Sequence, residues 1–199
     1  MLETLEYPTI LWYYIHIDYV YIMPSKKSIG ADNQQERLRI VDWIVGFTDG
    51  EGCFSVSIIK NSTTKSGWQI FPEFVITQGA KSESVLKDIQ KFFKCGKIYV
   101  NQRHDNHKEN LCRYCVRSIH EISEIIIPFF KENPLMTAKR YDFAKFVKVI
   151  SWIVQGKHLK RRGMIKIAKV IQQMNRKVPA RFLESSETKR QLPTQSGKI

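Results

Sequence analysis

The feature that most constrains the fold is a change of hydrophobic periodicity at Asp49–Gly52. Before it, the apolar residues of Ile40–Phe47 recur at helical spacing. After it, apolar and serine residues alternate through Phe54–Ile58, which predicts a strand with one dry and one wet face. Glycines 50 and 52 lie between the two patterns. We therefore predict a helix from Asn33 that ends around Asp49–Gly52 and leads directly into a strand.

The rest of the chain repeats this order and adds helices at its end. Strands joined by short turns and separated by a helix are typical of an antiparallel α+β sheet with helices packed on one face. The predicted elements are strand Trp68–Gln78 after a polar turn at 61–67, helix Ser82–Lys94 with Gly96 as its stop, strands Lys97–Arg103 and Leu111–Ser118, and helices Glu121–Phe130, Thr137–Gln155 and His158–Asn175.

Three regions are expected along the chain. Residues 1–32 hold a Tyr/Ile-rich run followed by a polar joint, and we interpret them as an N-terminal arm or a relic of an upstream reading frame. Residues 33–175 form the organised domain. Residues 176–199 are polar and are predicted to be a mobile tail.

The charge balance narrows the class of partner. Thirty-two Lys and Arg against 19 Asp and Glu give a net charge of +13 and a pI near 9.6. Such a surplus favours a polyanion, either nucleic acid or an anionic membrane surface. No stretch has the ~20 apolar residues that span a bilayer, and no signal or transit peptide is evident. The four cysteines are therefore expected to be reduced thiols.

The sheet face without helices is the candidate nucleic-acid surface. Alternation places Ser55, Ser57, Arg113 and Arg117 on it. A twisted antiparallel sheet with a polar, basic face fits the major groove of DNA, although an ordinary solvated face would show the same alternation. The full set of predicted DNA-binding residues is Ser55, Ser57, Lys60, Gln69, Lys81, Lys97, Tyr99, Arg103, Arg113 and Arg117.

Two carboxylates at the end of the first helix need an explanation. Asp49 and Glu51 lie where the helix dipole is negative, and each such placement costs on the order of 0.3–1 kcal/mol. A carboxylate, the Gly50 carbonyl and phosphate oxygens are hard ligands that suit Mg²⁺, which would compensate the cost. The alternative is a helix C-cap followed by an acidic turn.

The wider string resembles the LAGLIDADG homing endonucleases. Gly46-Phe47, Asp49-Gly-Glu-Gly52 and Cys53-Phe54 match the helix that names the family. Phe74–Gln78 is similar to the end of its second strand, and Ile127–Phe130 with Asn133–Phe143 to its later helices. The resemblance extends over about residues 38–155. It implies a mixed αββαββα fold with a saddle-shaped antiparallel sheet.

The resemblance also implies roles for individual residues. Glu51 corresponds to the metal-binding acid and Gly50 to the residue whose carbonyl reaches the metal, Mg²⁺ or Mn²⁺ in its place. Gln78 corresponds to a polar residue that positions solvent, and Lys139 to the basic residue near the scissile phosphate. Lys81 is a further basic candidate, and Asp49 a candidate for capping or orienting the turn.

The motif occurs once in these 199 residues. Because one active site of this family needs an acid from each of two such helices, the resemblance implies a homodimer on a long, pseudo-palindromic double-stranded DNA target. Ile44, Gly46, Phe47 and Gly50 are expected on the helix side that packs against the partner. The implied reaction is metal-assisted hydrolysis by an intron-encoded endonuclease.

Alternatives remain at the level of sequence. Members of this family assist intron RNA folding as maturases, and a non-cleaving DNA-binding protein could use the same sheet. His104, His107, Cys112 and Cys115 invite a zinc site, but cysteines three apart in a strand should face opposite ways. Abundant Lys, Ile, Phe and Asn suggests an organelle genome, mitochondrial or chloroplast.

Overall fold

The computed structural model describes residues 31–102 and 109–175. The arm and tail predicted at 1–32 and 176–199 lie outside these ranges, apart from Ala31 and Asp32, and so do Arg103, His104 and His107. The helices are α1 (Ala31–Glu51), α2 (Glu83–Phe93), α3 (Ile119–Glu121), α4 (Ile127–Glu132), α5 (Lys139–Val154) and α6 (Arg161–Ile171), and the strands are β1 (Gly52–Lys60), β2 (Trp68–Gly79), β3 (Lys97–Asn101) and β4 (Leu111–Val116).

The strands form one sheet in the order β1-β2-β4-β3, and each neighbouring pair is antiparallel. Phe54 of β1 lies opposite Phe74 of β2, which in turn lies opposite Val116 of β4. The two phenylalanine rings stack with centroids 4.9 Å apart, and the Phe130 ring meets them at 5.3 and 5.5 Å. Aromatic packing of this kind fixes the register of the inward face.

All helices that bury apolar side chains bury them on the same side of the sheet. The buried residues of α1, α2, α4, α5 and α6 fall in clusters with the inward-facing residues of the strands. The opposite side is not packed by any helix of the described ranges, and we call it the open face. Its residues are the odd-numbered positions 53–59, 69–77, 97–101 and 111–115, as the register requires. The predicted α+β architecture is confirmed.

Boundaries differ from the sequence predictions in physically informative places. α2 ends where Lys94 takes a left-handed conformation at φ +54°, so Gly96 (φ +74°) follows the helix end rather than forming it. The predicted helix at 121–130 starts earlier, and a π-helical segment, Ile122–Ile126, joins α3 to α4. Within the described ranges, no helix is both long and apolar enough to cross a membrane.

Candidate active site

The junction between α1 and β1 is built around a glycine. A Cβ atom on Gly52 would lie 2.6 Å from Cγ2 and 2.8 Å from the carbonyl oxygen of Thr48, which no side chain tolerates. The chain therefore passes from helix to strand without a spacer, and Thr48 is fully buried beneath it. Glu51 is the last residue of α1, and it is exposed at the edge of the sheet.

Asp49 ties α1 to the start of α5. Its carboxylate accepts hydrogen bonds from the Met136 amide at 2.7 Å and from the Thr137 hydroxyl at 2.7 Å, with the Thr137 amide at 3.3 Å. Burial alone would raise the pKa of Asp49, but the hydrogen bonds from Thr137 and Met136 outweigh it and hold the pKa below its usual range. Its oxygens are engaged by the protein, so its role in this structure is to position the α5 terminus.

Lys139, the first residue of α5, reaches the carbonyl end of α1. Its Nζ donates to the Thr48 carbonyl at 2.7 Å and approaches the Gly50 carbonyl at 3.4 Å. A cation at this position interacts favourably with the negative end of the helix dipole. Burial lowers the pKa of Lys139, and nearby acidic groups including Asp49 and Glu51 partly oppose that change. Lys139 and Glu51 are thus neighbours although 88 positions separate them in the sequence.

Gln78 lies at the same edge of the sheet. β1 begins at Gly52 opposite Ile76, so Gln78 is two residues beyond the point where β1 starts. It pairs with Cys112 on the inward side of the register and is half-buried. Glu51, Lys139 and Gln78 therefore share one edge of the sheet, supplied by three separate elements.

The exposed side of α1 differs in part from the predicted packing side. Ile44 is 1% exposed in the protein's own core, so its side chain is not available to a partner helix, and we remove it from the predicted set. Because α1 has apolar residues on both of its sides, hydrophobic periodicity alone does not distinguish its core side from its exposed side. Cβ atoms built on Gly46 and Gly50 would meet nothing within 4 Å. The exposed side carries Ile40, Trp43, Gly46 and Gly50, whereas Phe47 is half-buried against the core.

Most residues predicted to bind DNA lie on the open face. Lys60 is an exception, because it pairs with Trp68 on the inward register and its ammonium lies 5.9 Å from the Trp68 ring. Lys81 lies in a single 3₁₀ turn, where its amide donates to the Glu109 carboxylate at 2.8 Å. Arg103 is outside the described ranges. The open-face residues are Ser55, Ser57, Gln69, Lys97, Tyr99 and Arg113, and Arg117 follows directly after β4.

Sequence reasoning missed an acid on the open face. Glu73 is only 9% exposed, and its carboxylate binds two arginines of the predicted DNA-binding set, Arg113 and Arg117. Alternation along β2 could have found it, because Glu73 is four residues from Gln69 and so shares its face. Its partners could not be found in this way, since they are 40 and 44 positions away.

The cysteines do not form half of a zinc site. Cys112 faces inward opposite Gln78, whereas Cys115 lies on the open face opposite Val75. Both are buried, and burial raises the pKa of the Cys115 thiol to about 11. Among the residues with described positions, no cluster of three His, Cys, Asp or Glu side chains could hold a metal ion.

A family model described as LAGLIDADG endonuclease matches residues 44–150. The chain belongs to the LAGLIDADG endonuclease family. The match extends from the middle of α1 into α5, so it contains Glu51, Gln78 and Lys139.

Two of the chain's curated relatives are much longer proteins. "Probable intron-encoded endonuclease 2" of Neurospora crassa is 33% identical over 126 residues, which are 63% of this chain and 25% of the relative. A 50.9 kDa protein in ND4 intron 1 of Podospora anserina is 33% identical over 119 residues, 59% of this chain and 25% of the relative. The chain thus spans about a quarter of the length of these two relatives.

Solved structures of homing endonucleases share the fold. I-TnaI has a TM-score of 0.61 and 35% identity, and the alignment covers 75% of this chain and 91% of that one. I-SmaMI, bound to an uncleaved DNA target in the presence of calcium ions, has a TM-score of 0.64 and 30% identity, with 77% and 49% covered. The chain therefore aligns with nearly all of I-TnaI and with about half of I-SmaMI.

Proposed function

We propose that this chain is a site-specific endonuclease that hydrolyses both strands of a DNA duplex with divalent metal ions, as a homodimer. One observation carries the proposal: the Lys139 ammonium lies 2.7 Å from the Thr48 carbonyl and 3.4 Å from that of Gly50, beside the exposed Glu51. An acid, a carbonyl and a basic residue lie together at the C-terminal end of α1, where β1 begins. This is the composition expected for phosphodiester hydrolysis.

The residues present fit a hard divalent cation. Glu51 offers an exposed carboxylate, and Gly50 offers a carbonyl that Lys139 engages only at 3.4 Å. The Asp49 carboxylate already accepts hydrogen bonds from Met136 and Thr137, which favours Glu51 over Asp49 as the ligand. Oxygen ligands of this kind suit Mg²⁺, with Mn²⁺ as a substitute, and such an ion lowers the pKa of water and stabilises charge on phosphate oxygens. One carboxylate and one carbonyl are too few ligands, which favours completion of the site by DNA and a second copy.

Lys139 and Gln78 have complementary tasks in this proposal. Lys139 is held by the α1 carbonyls, so its ammonium is already in position to stabilise negative charge that develops on the phosphate. Gln78 presents an amide at the same sheet edge, where it can orient solvent by donating or accepting a hydrogen bond. Lys139 is on a helix and Gln78 is on a strand rather than on loops, which limits the motion of both side chains.

The open face is the proposed DNA surface. It carries the hydroxyls of Ser55 and Ser57, the amide of Gln69 and the guanidinium of Arg113, groups that hydrogen-bond to base edges in the major groove. The excess of 13 positive charges supplies sequence-independent attraction to phosphates. The alignment with I-SmaMI, which was crystallised on DNA, supports this assignment.

The exposed side of α1 is the proposed dimer surface. Trp43 is 41% and Ile40 42% exposed, and the Trp43 ring stacks on Phe47 with centroids 5.2 Å apart. Solvent exposure of such apolar groups beside two empty glycine positions, Gly46 and Gly50, favours close packing of a second helix. Two copies would bring two Glu51 carboxylates together at the paired helix ends.

The coding location is proposed to be an organelle intron, mitochondrial or chloroplast. The Podospora anserina relative lies in an ND4 intron, and the Neurospora crassa relative is named as intron-encoded. The Lys-, Ile- and Phe-rich composition agrees with an AT-rich genome.

Replacing Glu51 with Gln tests the proposed reaction. The substrate is a supercoiled plasmid that carries the uninterrupted form of the gene in which the coding frame lies. With Mg²⁺ the wild-type protein should linearise it, whereas Glu51→Gln should still bind the target and leave the plasmid intact. Glu132→Gln, the same change at an exposed residue of α4, is the matched control and should cleave normally. Cleavage by Glu51→Gln at the wild-type rate would refute the metal assignment.

A further inference from the structure

A carboxylate in the middle of a proposed DNA-binding surface should weaken DNA binding, so its presence there needs an explanation. Glu73 lies on the open face opposite Ser55, and its side chain is 11% exposed. A negative charge here repels phosphates, and its burial requires paired, hydrogen-bonded partners. The two arginines that contact the Glu73 carboxylate provide these hydrogen bonds and also offset its negative charge.

The two arginines are held in different ways. Arg117 donates to one Glu73 carboxylate oxygen through Nε at 2.8 Å, and its Nη2 lies 2.7 Å from the same oxygen. Its guanidinium also contacts two rings, 5.2 Å from the centroid of Phe71 and 4.9 Å from that of Tyr99. The short ion pair and the two ring contacts hold Arg117 in place, although its side chain is 37% exposed.

Arg113 has a single, longer contact to the same carboxylate. Its Nη2 lies 3.3 Å from the second Glu73 oxygen, and its side chain is 31% exposed. A guanidinium has five N–H donors, so one contact to Glu73 leaves a pair free for a ligand. Arg113 lies opposite Thr77 on one side and Tyr99 on the other, in the interior of the sheet.

We propose that Glu73 is a specificity-determining residue that acts through Arg113. Arg117, clamped by the two rings, fixes one carboxylate oxygen of Glu73, and the other oxygen then orients the Arg113 guanidinium toward the DNA. The ligand of Arg113 in this arrangement is guanine, because a guanidinium matches the O6 and N7 acceptors of guanine with two hydrogen bonds. Glu73 also cancels positive charge on the face, which lowers affinity for unrelated DNA. The proposal rests on the DNA-binding function proposed above.

The test is selection of bound duplexes from a library of randomised sequence, with Ca²⁺ in place of Mg²⁺ to limit cleavage, followed by sequencing. Wild-type protein should enrich a motif in which one position per bound subunit is G·C, and a changed pair there should weaken binding about tenfold or more. Glu73→Gln should reduce this discrimination to below about threefold, leave other positions unchanged and bind unrelated duplexes more tightly. Glu83→Gln, which removes the same charge from an ion pair with Lys87 on α2, should reproduce the wild-type motif.

Arg113→Lys distinguishes action through Arg113 from direct contact by Glu73. Lysine keeps the charge but cannot make the paired bonds to guanine, so the same G·C preference should disappear. If Glu73 itself accepted a hydrogen bond from cytosine, Arg113→Lys would retain the preference while Glu73→Gln lost it, and the proposal would be overturned. An unchanged motif for Glu73→Gln would also overturn it. If the wild-type protein enriched no motif, the proposed function itself would fail.

Discussion

Replacing Asp49 with Asn separates a structural acid from the neighbouring metal-binding candidate. The Asp49 carboxylate accepts from the Met136 amide and the Thr137 hydroxyl, each at 2.7 Å, and these groups begin the segment that carries Lys139. Asparagine has one acceptor oxygen and presents an amide donor in place of the other. At least one of the two short bonds is therefore lost or reversed.

The magnitude follows from the kind of bond that is lost. A hydrogen bond to a charged group contributes about 1.5–3 kcal/mol, and loss of a capping carboxylate costs about 0.5–2 kcal/mol. Since Asp49 is only partly buried, we expect the lower part of these ranges, about 1–2 kcal/mol. For a protein of this size that lowers Tm by roughly 2–8 °C.

The stability difference should depend on pH in a defined direction. The folded pKa of Asp49 is lowered from 3.8, so its ionised form contributes stability above the unfolded pKa and loses it as pH falls through the folded value. The gap between wild type and Asp49→Asn should therefore be full near pH 7 and shrink below about pH 4. Thermal unfolding followed by circular dichroism over this range measures it.

Cleavage by Asp49→Asn should also slow, because the residues just before Lys139 lose a hydrogen bond to α1 and Lys139 can shift. A displacement of about 1 Å in a catalytic group costs roughly a hundredfold, so we expect a rate loss of about ten- to a hundredfold with little change in DNA affinity. The reasoning would be refuted if Tm were unchanged while added Mn²⁺ restored cleavage. That result would make Asp49 a metal ligand.

Three further predictions concern other parts of the molecule. Lys139→Met should slow cleavage by orders of magnitude while target affinity, measured by fluorescence anisotropy, changes less than about threefold; an equal loss of both would make Lys139 a simple phosphate contact. Gly46→Leu should leave the protomer as stable or up to about 1 kcal/mol more stable in thermal unfolding, since no atom lies within 4 Å of its Cβ, yet should abolish dimers in analytical ultracentrifugation. The logarithm of the DNA association constant should fall steeply and linearly with the logarithm of the salt concentration. An association constant that does not change with salt would argue against phosphate contacts.

Local pattern predicted most of the architecture. Alternation in β1 gave the strand and its wet face because each buried phenylalanine or valine has a polar neighbour. The pattern of apolar residues did not predict which side of α1 faces the core, because Ile44 is buried and Trp43 is exposed although both are apolar. Helix ends were less certain, and Lys94 rather than a glycine adopts the left-handed conformation that ends α2.

The candidate site residues could be named from the sequence, but the contacts that position them could not. The sequence placed Asp49 and Glu51 at the same helix end, and the family resemblance assigned the metal to Glu51 and left Asp49 as a candidate for capping or orienting the turn. The hydrogen bonds that engage Asp49 come from residues 87 and 88 positions away, which no local pattern contains. The ion pairs of Glu73 are likewise distant in sequence, and they change the interpretation of Arg113 and Arg117 from independent DNA contacts to one connected group.

Glu51, and not Asp49, is proposed to hold the catalytic metal. Anomalous scattering from Mn²⁺ in crystals of the protein with its bound DNA would locate this metal. A manganese peak is expected in contact with the Glu51 carboxylate and the Gly50 carbonyl, with a second copy of Glu51 at the same paired helix end. A peak on the Asp49 carboxylate, or manganese bound without either residue, would contradict it.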